Sequence, residues 1–496
     1  MYHQLYLGER YNDQLYNSFN AINQGLLQVA MAKKNDTAFL AKVINAVENN
    51  GSKLTWSKFI FNSKRPQLKI PENAVTAEES IKSELSFYQN ALVNNSETNK
   101  EKSLLWEQKI YELKNRLDSL QHVIKQQNKS YYQFDIINFD IVKLQNQLKS
   151  DEAVLKFVQT DKILYSFLIS KKEIVLLKEE NKAKVLAYLK IGLHNLKNRT
   201  TNYTDNFTAL SRILLPEKLN KNYKKLIIIP DGALHYFPFE VLLFDKNTAS
   251  VSYATSLLLL QEQKRSKKVY DKLKIGAFSV SNRAANLPKT STEIKSILTF
   301  FDGKMFVNAT KPQFLKEANQ FDILHLAMHS FIDAARPEFS ALCFANQSNL
   351  YISSLYNENF KAEMVVLSAC DTGNGFYENG EGVISLSRAF NYAGIPSAVM
   401  SLWKVDDEAT AKIMTFFYKH LSNGETKDEA LKNAKLDYLE VTEDPLLKHP
   451  YYWAGFVLSG NTDALVETKN YWIYMLFIPL FLMICYRKRL LQFFKK

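Results

Sequence analysis

Residues 364–375 read Met-Val-Val-Leu-Ser-Ala-Cys-Asp-Thr-Gly-Asn-Gly, a run apolar almost throughout that ends on a thiol and then a glycine-rich turn. A second run, Asp322-Ile-Leu-His-Leu-Ala-Met328, ends on His329. Runs this short, apolar almost throughout and β-branched in part, read as central strands of a parallel sheet buried on both faces. Moving outward, the same alternation of strand and helix recurs. Strands are expected at Ala153–Thr160, Leu164–Ser170, Leu226–Pro230, Lys274–Ser279 and Ser397–Trp403. Helices are expected at Ala183–Leu196, Thr290–Phe300 and Gly382–Tyr392. The pattern predicts an α/β fold, a mostly parallel sheet with helices on both faces. Thr290-x-x-Glu293 and Thr426-x-x-Glu429 have capping-box spacing, and Gly394 and Gly424 stand where helices stop.

Before this region the chain is polar and helical in pattern. Leu104, Leu105, Ile110, Leu113, Leu117 and Leu120 recur mostly at three- and four-residue intervals, one stripe of an amphipathic helix. Packed helix pairs are expected over 1–130, an α/β domain over 131–465, and a separate tail over 466–496. In the tail, residues 471–486 (YWIYMLFIPLFLMICY) carry no charge and are followed by Arg487-Lys488-Arg489. Sixteen residues at about 1.5 Å each span about 24 Å. That is somewhat short of a ~30 Å hydrocarbon core, yet the run reads as a single-pass membrane anchor with aromatic ends and a basic flank. The first residues, MYHQLYLGERYNDQ, show neither a basic n-region nor an apolar h-region. The expectation is therefore a tail-anchored chain or a start that lies further upstream.

Composition excludes several classes. Of 496 residues, 46% are hydrophobic and 13% aromatic, enough to bury more than one core. Three cysteines, Cys343, Cys370 and Cys485, cannot form a disulfide framework. The net charge of +12 falls to +7 once the five positives after residue 486 are set aside, and the lysines are dispersed, which argues against nucleic acid as a partner.

In an open parallel sheet the carboxyl ends of strands form the crevice where ligands bind, so His329 and Cys370 are expected at one edge. An imidazole beside a thiol raises its thiolate fraction, and the thiolate is the nucleophile. Gly373 and Gly375 build a turn that exposes the thiol and offers backbone N–H groups to an oxyanion. Cys343, in an apolar ALCF run, has no such setting. His325 shares a strand face with His329 and reads as support for the site or the core. No Glu follows it, and no third ligand at metal spacing appears, so neither a metal nor a cofactor is expected. His235, in PDGALHYFPFE, is expected to pack among Tyr236, Phe237 and Phe239.

FDILHLAMHSFID, VVLSACDTGNG, GEGVISLSRAFNYAGIPSAVMSLWKVDDEAT and HPYYWAGFVLSG, in this order, resemble the CHAT family of caspase-like proteins, relatives of separase and the caspases. The helices before ~130 resemble the end of a tetratricopeptide array. The resemblance implies a thiol endopeptidase with a His329–Cys370 dyad; the separation of 41 residues is near the ~50 of caspases. It also implies an oxyanion hole from the backbone N–H groups of Cys370 and Ser330. Family members often carry Gly at the latter position, so a required positive φ would strain Ser330. Asp406 and Asp407, in SLWKVDDEAT, are the candidate substrate pocket, holding a basic residue before the scissile bond as in related separase sequences, although Asp at a helix start is also an ordinary N-cap. Substrate would be a protein or peptide, with a protein partner on the helical region. The alternative is a catalytically silent scaffold or signalling adaptor of the same fold.

Overall fold

Eleven strands hydrogen-bond into one sheet whose centre is formed by the apolar runs at 323–327 and 364–367. The computed structural model describes residues 13–50, 70–95, 100–127, 139–216, 219, 223–243, 249–264, 270, 272–280, 290–333, 339–356, 358–368, 375–378 and 382–467. In chain order, four helices come first: α1 (Asp13–Ala32), α2 (Thr37–Asn50), α3 (Glu72–Asn95) and α4 (Lys100–Gln127). Strands β1 (Glu152–Gln159), β2 (Leu164–Ser170) and β3 (Ile174–Glu179) come next, then α5 (Lys182–Lys197), α6 (Tyr203–Leu214), β4 (Lys225–Ile229) and β5 (Ser250–Tyr253). After them are β6 (Lys274–Ser279), α7 (Thr290–Ile297), β7 (Asp302–Val307), β8 (Ile323–Ala327), β9 (Ser330–Phe331), β10 (Ala341–Cys343), β11 (Asn349–Tyr351) and β12 (Met364–Leu367). The chain continues through β13 (Phe376–Glu378), β14 (Gly382–Ile384), α8 (Leu386–Tyr392), β15 (Ser397–Ser401), α9 (Asp407–Ser422), α10 (Lys427–Val441) and β16 (Phe456–Gly460).

The order across the large sheet is β3-β2-β1-β4-β5-β16-β15-β12-β8-β6-β7. Seven of its ten pairings are parallel, so the sheet is mostly parallel, as the apolar runs predict. Where β16 meets β15 the direction reverses. The sheet is thus two parallel blocks of opposite sense. β15, β12, β8, β6 and β7 all point their carboxyl ends to one edge, and β1, β4, β5 and β16 point theirs to the other.

Alternation along each strand divides the core. Ile323 and Ala327 of β8 and Met364 and Val366 of β12 pack with α5, α6, α7, α9 and α10 on one face. Leu324, Leu326, Val365 and Leu367 pack with α8 on the other. The N-terminal helices are not a detached unit. Leu27, Leu40, Val43 and Ile44 of α1 and α2 bury themselves on Tyr165, Phe167 and Ile169 of β2. The α3–α4 pair buries Ile81, Leu85, Ile110 and Leu113 with Phe339 and with Ala341 and Tyr351 of the small sheet β11-β10-β9.

Two expectations change. The predicted helix Gly382–Tyr392 begins only at Leu386, because Gly382–Ile384 pairs with β13 as a hairpin and Ser385 caps the helix by accepting from the Arg388 N–H. The expected C-terminal transmembrane helix is also corrected, and with it the single-pass membrane location and the membrane as a partner. Among the described residues no helix is long and apolar enough to cross a membrane. The run 471–486 lies outside the described residues, and its sixteen residues fall below the roughly 20 that a spanning helix needs.

Candidate active site

β8 and β12 lie side by side, with Ile323, Leu324, His325 and Leu326 opposite Met364, Val365, Val366 and Leu367. Every one of these residues is buried, so the two strands act as a rigid base for the segments that leave their carboxyl ends. β15 lies on the far side of β12, with Val365 opposite Ala398. Three segments therefore leave the sheet at one edge: Met328-His329 after β8, Ser368 after β12, and Leu402–Asp406 after β15. The last is fixed by Trp403, whose indole N–H donates to the Tyr451 carbonyl at 2.9 Å. Gly455 fits against the indole because a Cβ there would sit only 3.1 Å from its ring atoms.

His329 is half-buried, and its Nε2 is enclosed without a hydrogen-bond partner among the described residues. Its carbonyl accepts from the Cys343 N–H at 2.9 Å, and Ser330 opens β9 opposite Leu342. Ser330 is not among the described residues with positive φ, which are Arg199, Asn308 and Asn346 besides glycines, so its backbone is unstrained. Cys343 lies across the ladder from His329, but burial pushes its thiol up, which keeps it protonated and a poor nucleophile.

Directly beneath this edge is a buried polar chain. Glu293 on α7 is 4% exposed, and its Oε1 accepts from the Ser368 hydroxyl at 2.8 Å. The same oxygen lies 3.1 Å from Nε2 of His325, which is 0% exposed. Nδ1 of His325 shares a hydrogen bond of 3.2 Å with the Tyr418 hydroxyl on α9. Burial and the Glu293 carboxylate hold that hydroxyl far above its usual range, so it stays neutral. A carboxylate taken this far from water is costly unless it is partnered, and here the Ser368 hydroxyl donates to it while the His325 ring, held from behind by Tyr418, lies against it.

Asp406 and Asp407 divide. Asp406 is the N-cap of α9, its Oδ1 accepting from the Glu408 N–H at 3.0 Å and the Ala409 N–H at 2.9 Å. Asp407 is exposed. Its carboxyl is raised by partial burial, then by Asp406 and Glu293, while Lys404 and His329 act in the opposite sense. Asp407 therefore lies within electrostatic reach of His329.

Cys370 and Gly373 lie outside the described residues. Gly375 is described, and its carbonyl accepts from the Tyr236 hydroxyl at 2.7 Å, which ties the end of the glycine-rich segment to the turn after β4. In that turn His235 shares a hydrogen bond of 3.0 Å with the Gly232 carbonyl, and burial pushes its imidazole down to about 4, so it is neutral. Among the described residues no three His, Cys, Asp or Glu side chains form a group able to hold a metal ion. Glu293, Ser368 and Tyr418 are the residues of this edge that sequence reading misses. Glu293 is visible in the sequence only as a capping position, and only Ser368, two residues before Cys370, carries a local signal.

The model of the CHAT domain matches residues 204–461, just over half of the chain. Tetratricopeptide repeat protein 28 of Mus musculus is 31% identical over 112 residues, 23% of this chain, and its Homo sapiens counterpart is 35% identical over 99 residues, 20% of this chain. The chain spans only 4% of the length of either relative. Among solved structures, the Saccharomyces cerevisiae separase–securin complex matches 85% of this chain and 41% of its own at a TM-score of 0.47 and 10% identity. The Arg-specific cysteine proteinase gingipain R matches 53% and 68% at 0.38 and 9%. Neither likeness reaches a TM-score of 0.5. The family match spans β8, β12 and, in sequence, both His329 and Cys370, and with it the chain belongs to the CHAT domain family.

Proposed function

We propose that the chain is a cysteine endopeptidase in which His329 and Cys370 form the catalytic dyad. One observation carries this reading. In the β8–β12 ladder Leu326 faces Leu367, an offset of 41 (367 minus 326), and 41 is also the separation of His329 and Cys370. Residues that leave neighbouring parallel strands at equal distance past the last pair start from the same level of the sheet edge. Period-two alternation within the strands puts His325 and Ala327 of β8 on the same face as Met364 and Val366 of β12.

In this arrangement the imidazole of His329 takes the Cys370 thiol proton, and the thiolate attacks the scissile carbonyl carbon. The oxyanion of the tetrahedral intermediate is held by the backbone N–H groups of Cys370 and Ser330. His329 returns the proton to the leaving amine, and water then hydrolyses the thioester. Gly373 and Gly375 are the supporting residues of the thiol in this reading. Asp407 holds a basic side chain before the scissile bond, while Asp406 serves the helix. Residues 1–130 form the regulatory helical region and 131–465 the peptidase domain. The α3–α4 pair supports control by a protein partner, since it packs on the small sheet whose first residue is Ser330.

The test is a thiol-reactive peptide probe together with a peptide library. Cys370→Ala is expected to abolish both labelling and cleavage, and Cys343→Ala neither. Equal labelling of the two variants would remove the dyad and leave a scaffold.

A further inference from the structure

Glu293 takes no part in the dyad chemistry, yet its one oxygen meets a residue from each strand that carries the dyad. Ser368, two residues before Cys370 in sequence, donates to Oε1 of Glu293 at 2.8 Å; Nε2 of His325, four residues before His329, lies 3.1 Å from the same oxygen. Among the described residues no backbone pair joins β8 to β12 beyond this level. The last β8–β12 pair is Leu326 with Leu367, and immediately beyond it the chain turns away, Ser330 pairing with Leu342 in the small sheet. At the point where the ladder stops, a side-chain link takes over, and it is anchored from the helical layer: α7 supplies Glu293 and α9 supplies Tyr418, which holds the far side of His325.

We infer that Glu293 is a positioning residue of the dyad, a buried carboxylate that pins the end of β12 to β8 so that Cys370 and His329 leave the sheet in register. The inference rests on the dyad reading. Its physical basis is the steep dependence of proton transfer and attack on placement, where about 1 Å of error costs about 10² in rate. The groups that face Glu293 are His325 from β8, Ser368 after β12, and Tyr418 and Asp407 from α9. None of them is a basic side chain of fixed charge; the Ser368 arm of the link is a hydrogen bond, and the His325 arm is a close approach of 3.1 Å in which Nε2 makes no hydrogen bond among the described residues.

The test reads the Cys370 thiol itself. In the full chain carrying Cys343→Ala and Cys485→Ala, the rate of iodoacetamide alkylation is measured against pH, with thermal unfolding in parallel. The reference is expected to show a midpoint well below the ~8.5 of a free thiol. Glu293→Ala and, separately, Ser368→Ala should raise it by about one unit and slow alkylation at pH 7 by about tenfold. Glu293→Gln, whose amide oxygen still accepts from the Ser368 hydroxyl, should stay within about half a unit of the reference. A reference midpoint near 8.5 would sink the dyad reading itself. A lower melting temperature in Glu293→Ala with an unmoved midpoint would leave the dyad standing and reduce Glu293 to a packing residue. A Glu293→Gln midpoint displaced as far as that of Glu293→Ala would overturn the pin. If Glu293→Ala does not fold, Ser368→Ala decides by the same readout, and an unmoved midpoint there overturns the inference.

Discussion

Asp406 and Asp407 are adjacent, identical in chemistry and expected to fail in different ways. Asp406→Ala removes the acceptor of two backbone N–H groups at the first turn of α9. Loss of such a cap costs typically about 1 kcal/mol and up to about 2. The helix survives, because Ala409, Ile413, Met414, Phe417, Tyr418 and Leu421 hold it in the core. The loss shows as a melting temperature lower by about 2–4 °C per kcal/mol in a unit of a few hundred residues. Asp407 gives the helix only its charge near the N-terminus, about 0.3–1 kcal/mol at most. Its carboxylate is instead free to hold a guanidinium. A charge-assisted bidentate contact is worth about 1.5–3 kcal/mol, so Asp407→Asn should cut the preference for Arg over Leu before the scissile bond by about 10- to 100-fold.

The assay is competitive cleavage of paired peptides that differ only at that residue, with thermal unfolding alongside. pH adds an independent check. Asp407 is raised above the ordinary carboxylate range by partial burial and by its acidic neighbours. Protonation removes the acceptor, so the preference for Arg should fade as pH falls through a value higher than the ~3.9 of a free Asp. An unchanged Arg-to-Leu ratio in Asp407→Asn would refute the pocket. So would a lost preference in Asp406→Ala at full thermal stability, since that would exchange the two roles.

His329→Ala should lower cleavage by about 10² or more with little change in melting temperature, whereas His325→Ala should act first on stability by leaving a cavity at a fully buried ring and removing the partner of the Tyr418 hydroxyl; equal rates for both would count against His329 as the base. Lys427, 2% exposed and donating to the carbonyl and Oδ1 of Asn461, has its ammonium pulled down to about 8 by burial, against the opposing pull of Asp463, Glu363 and Asp428. Between about 8 and the unfolded value near 10.5 the unfolded chain binds more protons, so stability rises with pH across that window and the burial cost is fully present below it. Relative to Lys427→Met, the wild type should gain about 2 kcal/mol between about pH 8 and about pH 9.5, and a gap that is equal at both pH values in denaturant titrations would refute the assignment.

The parts of this molecule that sequence reading reaches are those written in local pattern. β8 and β12 are apolar on both faces and are visible for that reason; Gly394 and Gly424 come after their helices with positive φ, as their positions imply. The strands that escape lack the pattern. β7 opens Asp-Gly, a turn signal, and only Phe306 on it is fully buried; β5 is the four residues Ser-Val-Ser-Tyr, with two hydroxyls turned into the interior. β16 joins two blocks of opposite sense through partners some 60 and 200 residues away, and no local property records a pairing at that range.

The site divides along the same line. A strand that ends on His and another that ends on Cys can be read from the chain, since each is a one-dimensional statement. Glu293 cannot, because its meaning lies in the meeting of α7, β8 and the end of β12, and in sequence it shows only the spacing of a capping box. Thr426-x-x-Glu429 makes the contrast. There Thr426 stands at the N-cap but caps no backbone N–H: its hydroxyl donates to Glu429 at 2.6 Å and accepts from buried Lys225, so the two motif residues are drawn into a longer-range ion cluster instead. Two identical spacings, each in the first turn of its helix, thus carry different work, and what separates them is which side chains the tertiary fold brings to each glutamate. That is a property of the assembled layers, and it is the reason a mutation at Glu293 is expected to be read out at Cys370 rather than in the stability of α7.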